Sequence, residues 1–391
     1  MKNKIIKLVM CVLALCMILN TNVSYAATTK TTTANQTKTF TVDEAIKYAL
    51  SNNGDILKVK FQQDQLGYTI SGIKDGRKMV EALIEMAENT PGVSVVETLQ
   101  ASGQYNFDGY LLRQKFTERQ LSAQKNLLNM QYTMRTEMIK LSVENAYYKA
   151  LMQKIAYDDA KRNLDVVKKQ TELGAIKLKY GTISELDYKS LEINQNAAEI
   201  SLLNAEFAMK EANYDFCDLL GLSYDTTLNL TSPLEVKVKD ITLTEKKKTD
   251  LKNNDIVFQS AKTTYDFAEE KYRLAKAYYG SSSNEYKNEE LTFKSEEINY
   301  KNAQNTVERK IISTQNTLEV MKKTVAIYKD KKDLMNLALG IANIRLNYGT
   351  ATNDDVITAS INYNNALNEY YDMVMNYNMM VSLYDKNIMI G

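Results

Sequence analysis

The chain has 391 residues with a net charge of +1, no His, no Trp, 26 Tyr and 2 Pro. A balanced charge without a long basic block lacks the electrostatic footprint of nucleic-acid-binding proteins, and the absence of His excludes catalytic triads and His-ligated metal sites. Because proline breaks helices, so few prolines permit long uninterrupted helices along almost the whole chain.

The N-terminus has the pattern of a secretory signal peptide. Three lysines in the first seven residues flank the start of an apolar run, Ile5–Leu19, and Ser24–Ala26 offers a small-x-small cleavage site. We therefore predict export through a signal peptide over residues 1–26. Two of the three cysteines lie within it, so the mature chain keeps only Cys217 and cannot close an internal disulfide.

The next segment, residues 27–39, consists mainly of Thr, Lys, Asn and Gln without apolar periodicity. Such a composition is typical of a flexible tether. Helical structure is expected from residue 40 onward, because Thr41 and Glu44 have the spacing of a capping box ahead of an apolar-periodic segment. No later apolar run approaches the ~20 residues of a membrane-spanning helix, so we expect none in the mature chain.

An internal duplication is the most informative feature. The segment Ile176–Thr182 recurs as Ile344–Thr350, an offset of 344 − 176 = 168 residues, and the same offset pairs Asp187 with Asp355. Upstream, both copies carry a seam whose positions alternate steps of 4 and 3. These positions are Ile139, Val143, Ala146, Ala150, Gln153, Tyr157 and Ala160 in the first copy, and Val307, Ile311, Thr314, Leu318, Met321, Val325 and Tyr328 in the second. Such heptad seams require a neighbouring helix to bury them.

Each copy has the same plan, which is a helix, a very long helix, a Tyr-Gly-Thr turn and a returning helix. Gly in the turn supplies the backbone freedom that ends a helix, and an N-cap pattern follows it. We predict a first repeat with its linker over residues 40–242 and a second repeat over 243–391. The first long helix is expected from about residue 107 to 172, which at ~1.5 Å per residue gives a rod of roughly 100 Å.

In both copies the turn has the form x-Tyr-Gly-Thr-x-x-x-x-Asp and precedes an Ala- and Asn-rich returning helix. In the first copy this helix ends at Leu219–Gly221. This arrangement resembles the TolC-type outer-membrane efflux proteins. The resemblance implies a homotrimer that forms a hollow α-barrel. The helical tips would meet a membrane-fusion adaptor protein and a cytoplasmic-membrane transporter. Substrates would leave through a passive duct without chemistry, so we predict neither enzymatic activity nor a cofactor.

The sequence departs from the family where a β-barrel is expected. The family places a pair of strands between the first two helices of each repeat, but the second repeat has only Tyr278–Tyr286 there and the first has only Pro91–Tyr110. Transmembrane strands need about 9 to 11 residues each. The predicted fold is therefore all-α: two tandem repeats of long antiparallel coiled-coil helices that form a trimeric α-barrel, with the family's strands absent or vestigial. The expected location is the cell envelope, either the outer membrane or the periplasmic or cell-wall space.

The tips supply the candidate functional residues. Asp187 and Asp355 are helix caps in the simpler interpretation; in the family, the position that matches Asp355 belongs to an acidic constriction of the tunnel. The turns themselves are either plain turn chemistry or adaptor contacts, since exposed aromatic residues anchor interfaces. The predicted adaptor-contact residues are Tyr180, Gly181, Thr182, Tyr348, Gly349 and Thr350.

Two functions of different classes remain open at this stage. The first is a passive exit duct of an efflux or protein-secretion system. The second is an exported coiled-coil structural or surface protein, such as an adhesin stalk or envelope spacer, without a lumen. The second also explains the tether, the heptads and the missing strands, but it does not require two equivalent tips.

Overall fold

The computed structural model describes residues 37–237, 239 and 241–389, so the predicted signal peptide and the tether up to residue 36 lie outside the described residues. Within the described part the chain forms two short strands and ten helices. In order they are β1 (Thr37–Phe40), α1 (Val42–Asn52), α2 (Gly54–Glu88), α3 (Val95–Ala101), α4 (Phe107–Arg113), α5 (Phe116–Lys179), α6 (Glu185–Leu220), β2 (Thr227–Leu230), α7 (Glu245–Asn254), α8 (Ile256–Tyr279), α9 (Asn284–Asn347) and α10 (Asn353–Asp385).

The two tandem repeats are confirmed by the two long helices. Helices α5 and α9 have 64 residues each, and their first residues are 284 − 116 = 168 positions apart, the offset of the duplication. At ~1.5 Å per residue each is a rod of roughly 100 Å. Both run toward the end of the molecule that holds the Tyr-Gly-Thr turns, which we term the tip end; the opposite end is the far end.

The predicted limits of the first long helix, 107 to 172, are wrong at both ends. Lys115 adopts a left-handed conformation with φ of 58°, which interrupts the helix and separates α4 from α5. At the other end α5 continues to Lys179 because the seam continues, with Leu164, Val167 and Thr171 all buried. A neighbouring helix thus covers the seam almost to the turn.

The long helices that pack together run antiparallel. In the tip half, α5 packs against α6 and α10, and α10 packs against α9; in the far half, α5 packs against α2 and α8, and α8 packs against α9. The main contacts across the tip half thus follow the order α6, α5, α10, α9, and α6 also meets α10 near the tips. Helix α6 lies at one edge of this layer and α9 at the other.

The last three residues of the predicted tether belong to a strand. Residues Thr37 to Thr39, expected to be flexible, belong to β1, which pairs in parallel with β2 in the linker between the repeats. The buried ring of Phe40 anchors the strand, and the Tyr147 hydroxyl donates a hydrogen bond of 2.9 Å to the Phe40 carbonyl oxygen. Thr and Lys form a strand here because a partner 190 residues away pairs with them.

The linker also connects the two repeats in the middle of the molecule. The backbone N–H of Lys237 donates to Asn378 Oδ1 of α10 at 2.7 Å, and Asn378 Nδ2 donates to the Glu235 carbonyl at 2.7 Å. The Lys237 ammonium lies 2.8 Å from a Glu144 oxygen of α5 and 2.8 Å from Ser382 Oγ of α10. Glu144 and Ser382 belong to different repeats, so one lysine joins both.

The far end is closed by helices and a turn. In the first repeat the place for a strand pair, Pro91–Tyr110, holds helix α3 and the start of α4, and residues 280–283 form the turn between α8 and α9. Phe107 packs against Tyr278 and Tyr279 with ring centroids 5.4 and 5.1 Å apart. The all-α class is confirmed. Among the described helices, none is both long enough and apolar enough to cross a bilayer.

Candidate functional site at the hairpin tips

The first tip is a helix end built around Gly181. The backbone N–H of Gly181 donates to the Leu178 carbonyl at 2.9 Å, and the N–H of Thr182 donates to the Lys177 carbonyl at 2.9 Å. These bonds satisfy carbonyls that the end of α5 leaves open. Gly181 has a φ of +69°, which side chains with a Cβ rarely adopt. Glycine is therefore required for this sharp exit from the helix.

The first tip continues into a capping box at the start of α6. The Asp187 backbone N–H donates to Ser184 Oγ at 3.1 Å, while the Ser184 hydroxyl and N–H donate to Asp187 Oδ2 at 2.7 and 3.1 Å. The Ser184 hydroxyl, followed by its N–H, lowers the pKa of the Asp187 carboxyl below its ordinary value. Asp187 is therefore a charged cap, as the simpler interpretation has it.

The second tip repeats this geometry. Gly349 has the same φ of +69°, and the Thr350 N–H donates to the Arg345 carbonyl at 2.8 Å. The Thr352 N–H and hydroxyl donate to Asp355 Oδ2 at 2.7 and 2.9 Å, and these two bonds, together with the charge of Arg345, lower the pKa of the Asp355 carboxyl. The Arg345 guanidinium also donates to the Thr350 carbonyl at 3.1 Å. Both tips are preorganised by their own backbone and caps.

The tips present their aromatic residues to solvent. Tyr180 is 75% exposed and Tyr348 is 81% exposed, so neither ring contributes to the packing of its own hairpin. The two hairpins touch near their tips, where Asn194 Nδ2 of α6 donates to Asp354 Oδ1 of α10 at 2.8 Å. Ile357 of α10 packs on the cluster around Leu164. The structure thus brings both predicted turns to one end of the molecule.

The chemistry available at the tips is that of a contact surface. Each Asp caps its own helix, and each Tyr-Gly-Thr turn exposes one ring. Within the residues that the structure describes, no group of three or more His, Cys, Asp and Glu side chains is placed to hold a metal ion. Above the tips, residues of both hairpins line a cavity of about 440 Å³, in which polar side chains such as Arg162, Asn163 and Asn364 lie together with apolar ones.

The two edge helices carry a second heptad series that was not predicted from the sequence. These residues lie seven positions apart and are exposed by 42% or more, and we term them the α6 stripe and the α9 stripe. The α6 stripe is Leu186, Ile193, Ile200, Phe207 and Tyr214; the α9 stripe is Val320, Ile327, Leu334, Ile341 and Tyr348. The signal was present in the sequence, since a count of apolar residues at a period of seven on each helix finds both series.

Comparison with solved structures identifies the fold. No family model and no curated protein sequence matches the chain. The crystal structure of the Campylobacter jejuni CmeC outer membrane channel is similar with a TM-score of 0.65 and 12% identity, over 95% of this chain and 93% of that one. The Vibrio cholerae outer membrane protein VceC is similar at 0.57 and 13%, over 88% and 95%. The open state of the Neisseria gonorrhoeae MtrE outer membrane channel is similar at 0.57 and 11%, over 88% and 88%.

These similarities cover nearly the whole of this chain and nearly the whole of each solved structure. The chain therefore has the TolC-like fold of outer membrane channels, and the prediction drawn from the duplicated turn is confirmed for the fold. The identities are too low to carry more than the fold, so the roles of individual residues have to be argued from the geometry of this chain.

Proposed function

We propose that the mature chain is the passive exit duct of an efflux or protein-secretion system. Three copies would stand side by side, each contributing its two hairpins to a hollow α-barrel. The shared fold with outer membrane channels supports this function, and so does the absence of a closed bundle within one chain: the described helices form a layer with two open edges.

The exposed stripes are the observation that carries the proposal. A helix that packs on one side only normally has a polar opposite face, yet α6 and α9 both expose a heptad series of large apolar side chains along the tip half. Contiguous apolar surface of this kind marks an interface. Because the stripes lie on the two opposite edges of the layer, further copies can cover both by closing a ring.

The tips are the proposed docking site for the partners. Tyr180, Gly181 and Thr182, with Tyr348, Gly349 and Thr350, would contact a membrane-fusion adaptor protein and through it a cytoplasmic-membrane transporter. The exposed rings are suited to this because aromatic side chains lose little conformational freedom on binding. Asp187 and Asp355 would line the mouth of the duct as well as cap their helices, since both carboxylates are exposed.

The proposed cellular location is the one in which such an assembly would work. The chain would be exported by its signal peptide and work in the cell envelope without a cofactor, a reaction of its own or a nucleic-acid partner. A carboxylate at the mouth of a trimer recurs three times, which would favour cations over anions there.

Negative-stain electron microscopy and light scattering of residues 27–391 test the duct. Hollow cylinders about as long as α5, roughly 100 Å, at three times the chain mass would support it. Solid rods would favour the exported structural protein instead, and a compact monomer at neutral pH would exclude a duct.

Docking is tested separately by titration with a membrane-fusion adaptor protein from the same organism. Replacement of Tyr180 and Tyr348 by Ala should weaken adaptor binding at least tenfold in a titration. Tyr105→Ala is the matched control, because Tyr105 is also an exposed tyrosine and belongs to the far end. Equal losses in both variants would contradict the assignment of the tips.

A further inference from the structure

The cavity above the tips lies where all four helices of the tip half contribute side chains. Helix α5 lines it from Met152 to Val166, which at ~1.5 Å per residue gives a length of roughly 20 Å. Ile357 of α10, packed on the cluster around Leu164, lies at its end nearest the tips. Arg162 is exposed, so solvent reaches the cavity from this side. Its volume of about 440 Å³ is in the range of sites that hold one small molecule.

One part of the lining is aliphatic and comes from three helices. These residues are Ile155 and Val166 of α5, Leu339 of α9, and Ile361 and Leu367 of α10. They offer an apolar surface on which a hydrophobic group can leave water, which is the main source of affinity in small-molecule sites.

Three amides supply much of the polar part. Asn163 lines the cavity from α5, and Asn364 and Asn368, one helical turn apart, line it from α10. In the part of the chain that the structure describes, no hydrogen bond engages these three side chains. Asn378, farther along α10, instead uses both its Oδ1 and its Nδ2 atom in bonds to the linker. Each of the three amides therefore keeps two donors and an acceptor for a ligand.

The charges of the lining cancel. Its charged residues are Asp159 and Arg162, and the Arg162 guanidinium donates to the Asp159 carboxylate on the same face of α5. Burial raises the pKa of the Tyr371 hydroxyl, which also lines the cavity, so this group is a neutral donor at physiological pH. An ionic ligand would lose hydration here without gaining an unpaired counter-charge. The lining thus favours an uncharged ligand.

We propose that this cavity binds one uncharged amphipathic molecule of drug size, with its apolar body on the aliphatic side chains and its hydrogen-bonding groups on the three amides. As a statement about the substrate class of the duct, this rests on the proposed function. A site along a transport path has to release its occupant as readily as it captures it, so the binding is weak and rapidly reversible.

Fluorescence titration of residues 27–391 with N-phenyl-1-naphthylamine tests the site. This uncharged amphipathic dye brightens when it leaves water, and the chain has no Trp to interfere. Saturable binding of one dye per chain is expected. The matched probe is 8-anilino-1-naphthalenesulfonate, which has the same ring systems and one negative charge and should bind at least tenfold more weakly. Tighter binding of the sulfonate, or no saturable binding of the uncharged dye, would overturn the proposal.

Variants that fill the cavity locate the binding. Ala205→Phe on α6 and Ser360→Phe on α10 each place a ring in it from a different helix, so the test does not depend on the folding of one variant. Each should weaken dye binding at least tenfold while the helical circular dichroism stays unchanged. Ala197→Phe is the matched control, because Ala197 is an exposed residue of α6 outside the lining. Undiminished binding in the folded filling variants would place the dye elsewhere and overturn the site.

The outcomes separate this site from the duct. Hollow cylinders in electron microscopy without saturable dye binding would overturn the site and leave the duct intact. A monomer that binds one dye, and loses it in the filling variants, would keep the site but remove its link to transport.

Discussion

The tip halves of the two repeats share length, register and turn geometry, but they are packed differently. In the first repeat the seam is buried almost to the turn, with Leu164, Val167, Thr171 and Gly174 all inaccessible. In the second repeat the equivalent positions, 168 residues later, are all partly exposed. They are Lys332, Met335, Leu339 and Ala342. One backbone plan thus supports a tightly packed hairpin and a looser one.

The difference has a local cause at Gly174. An ideal Cβ at this position would lie 2.3 Å from Leu191 Cδ1, so the missing side chain is what lets α6 approach α5. Thr171 Oγ1 lies 3.3 Å from the Leu191 carbonyl across the same contact. The second repeat has Ala342 and Leu339 at these places, and both are partly exposed. Close packing at a glycine therefore belongs to the first hairpin and is not repeated at the equivalent place in the second.

Replacing Gly174 by a larger residue should have the largest effect on stability. Gly174→Val places a branched side chain where Leu191 packs and should destabilise the protein by about 1–3 kcal/mol, the usual cost of overpacking. Urea unfolding followed by circular dichroism measures this. Gly340→Val on α9 is the matched control, because nothing lies within 4 Å of a Cβ there. Equal shifts of the two midpoints would show that the hairpins do not differ in packing.

A second comparison concerns one equivalent position in the middle of the molecule, Tyr147 in the first repeat and Gln315 in the second. Tyr147 is fully buried, and its hydroxyl donates to the Phe40 carbonyl and accepts from the Ser232 N–H at 2.8 Å. Tyr147→Phe removes both bonds and should cost about 1–2 kcal/mol, because the Ser232 N–H loses its partner while the Phe40 carbonyl keeps the Thr231 N–H at 3.2 Å. A loss below about 0.5 kcal/mol, the low end for one hydrogen bond, would show that water replaces the hydroxyl.

The equivalent change in the second repeat should have the opposite sign. Gln315 is buried, and its Oε1 atom has no hydrogen-bond partner within the described residues, although its amide donates to Glu319 at 3.0 Å. Gln315→Leu removes this unsatisfied acceptor and should stabilise the protein by about 1 kcal/mol. The same urea titration measures it, and destabilisation would indicate that Oε1 is satisfied in the assembled protein.

The smallest expected effect is the response of the tips to acid. Both capping carboxyls have a folded-state pKa below the ordinary value of 3.8, so their stabilisation is present above that value and is lost as pH falls through the folded-state pKa. The protection factor of amides at the start of α10, which is corrected for the intrinsic pH dependence of exchange, should therefore fall between about pH 4 and pH 2. Asp355→Asn should abolish this change at the second tip and leave it at the first.

Much of this fold could be predicted from the sequence because the duplication repeats in both turn and seam. A Gly that must leave a helix, followed by a Ser or Thr cap and an Asp three residues later, specifies a hairpin tip by local chemistry alone. The seam from Val307 to Val325 is buried as its spacing requires, apart from Met321, which is half-buried. Both signals are local, so one sequence suffices to find them.

The missed features depend on distant partners or on unusual local conformations. The polar residues of β1 form a strand only because β2 is available, and no local pattern indicates this pairing. Lys115 breaks the helix before α5 without a glycine or proline to mark the place. The functional roles of Tyr180, Tyr348, Asp187 and Asp355 stay predictions, because their partners are other molecules.

The strand pair has a consequence for the order of events during synthesis. A chain made from its N-terminus delivers β1 long before β2, since Thr39 and Asn229 are 190 residues apart. The first long helix can therefore form while the N-terminal strand is still without a partner. Only arrival of the linker completes that repeat, which makes the interval before it the time when newly made molecules are most open to proteases and to rescue by chaperones.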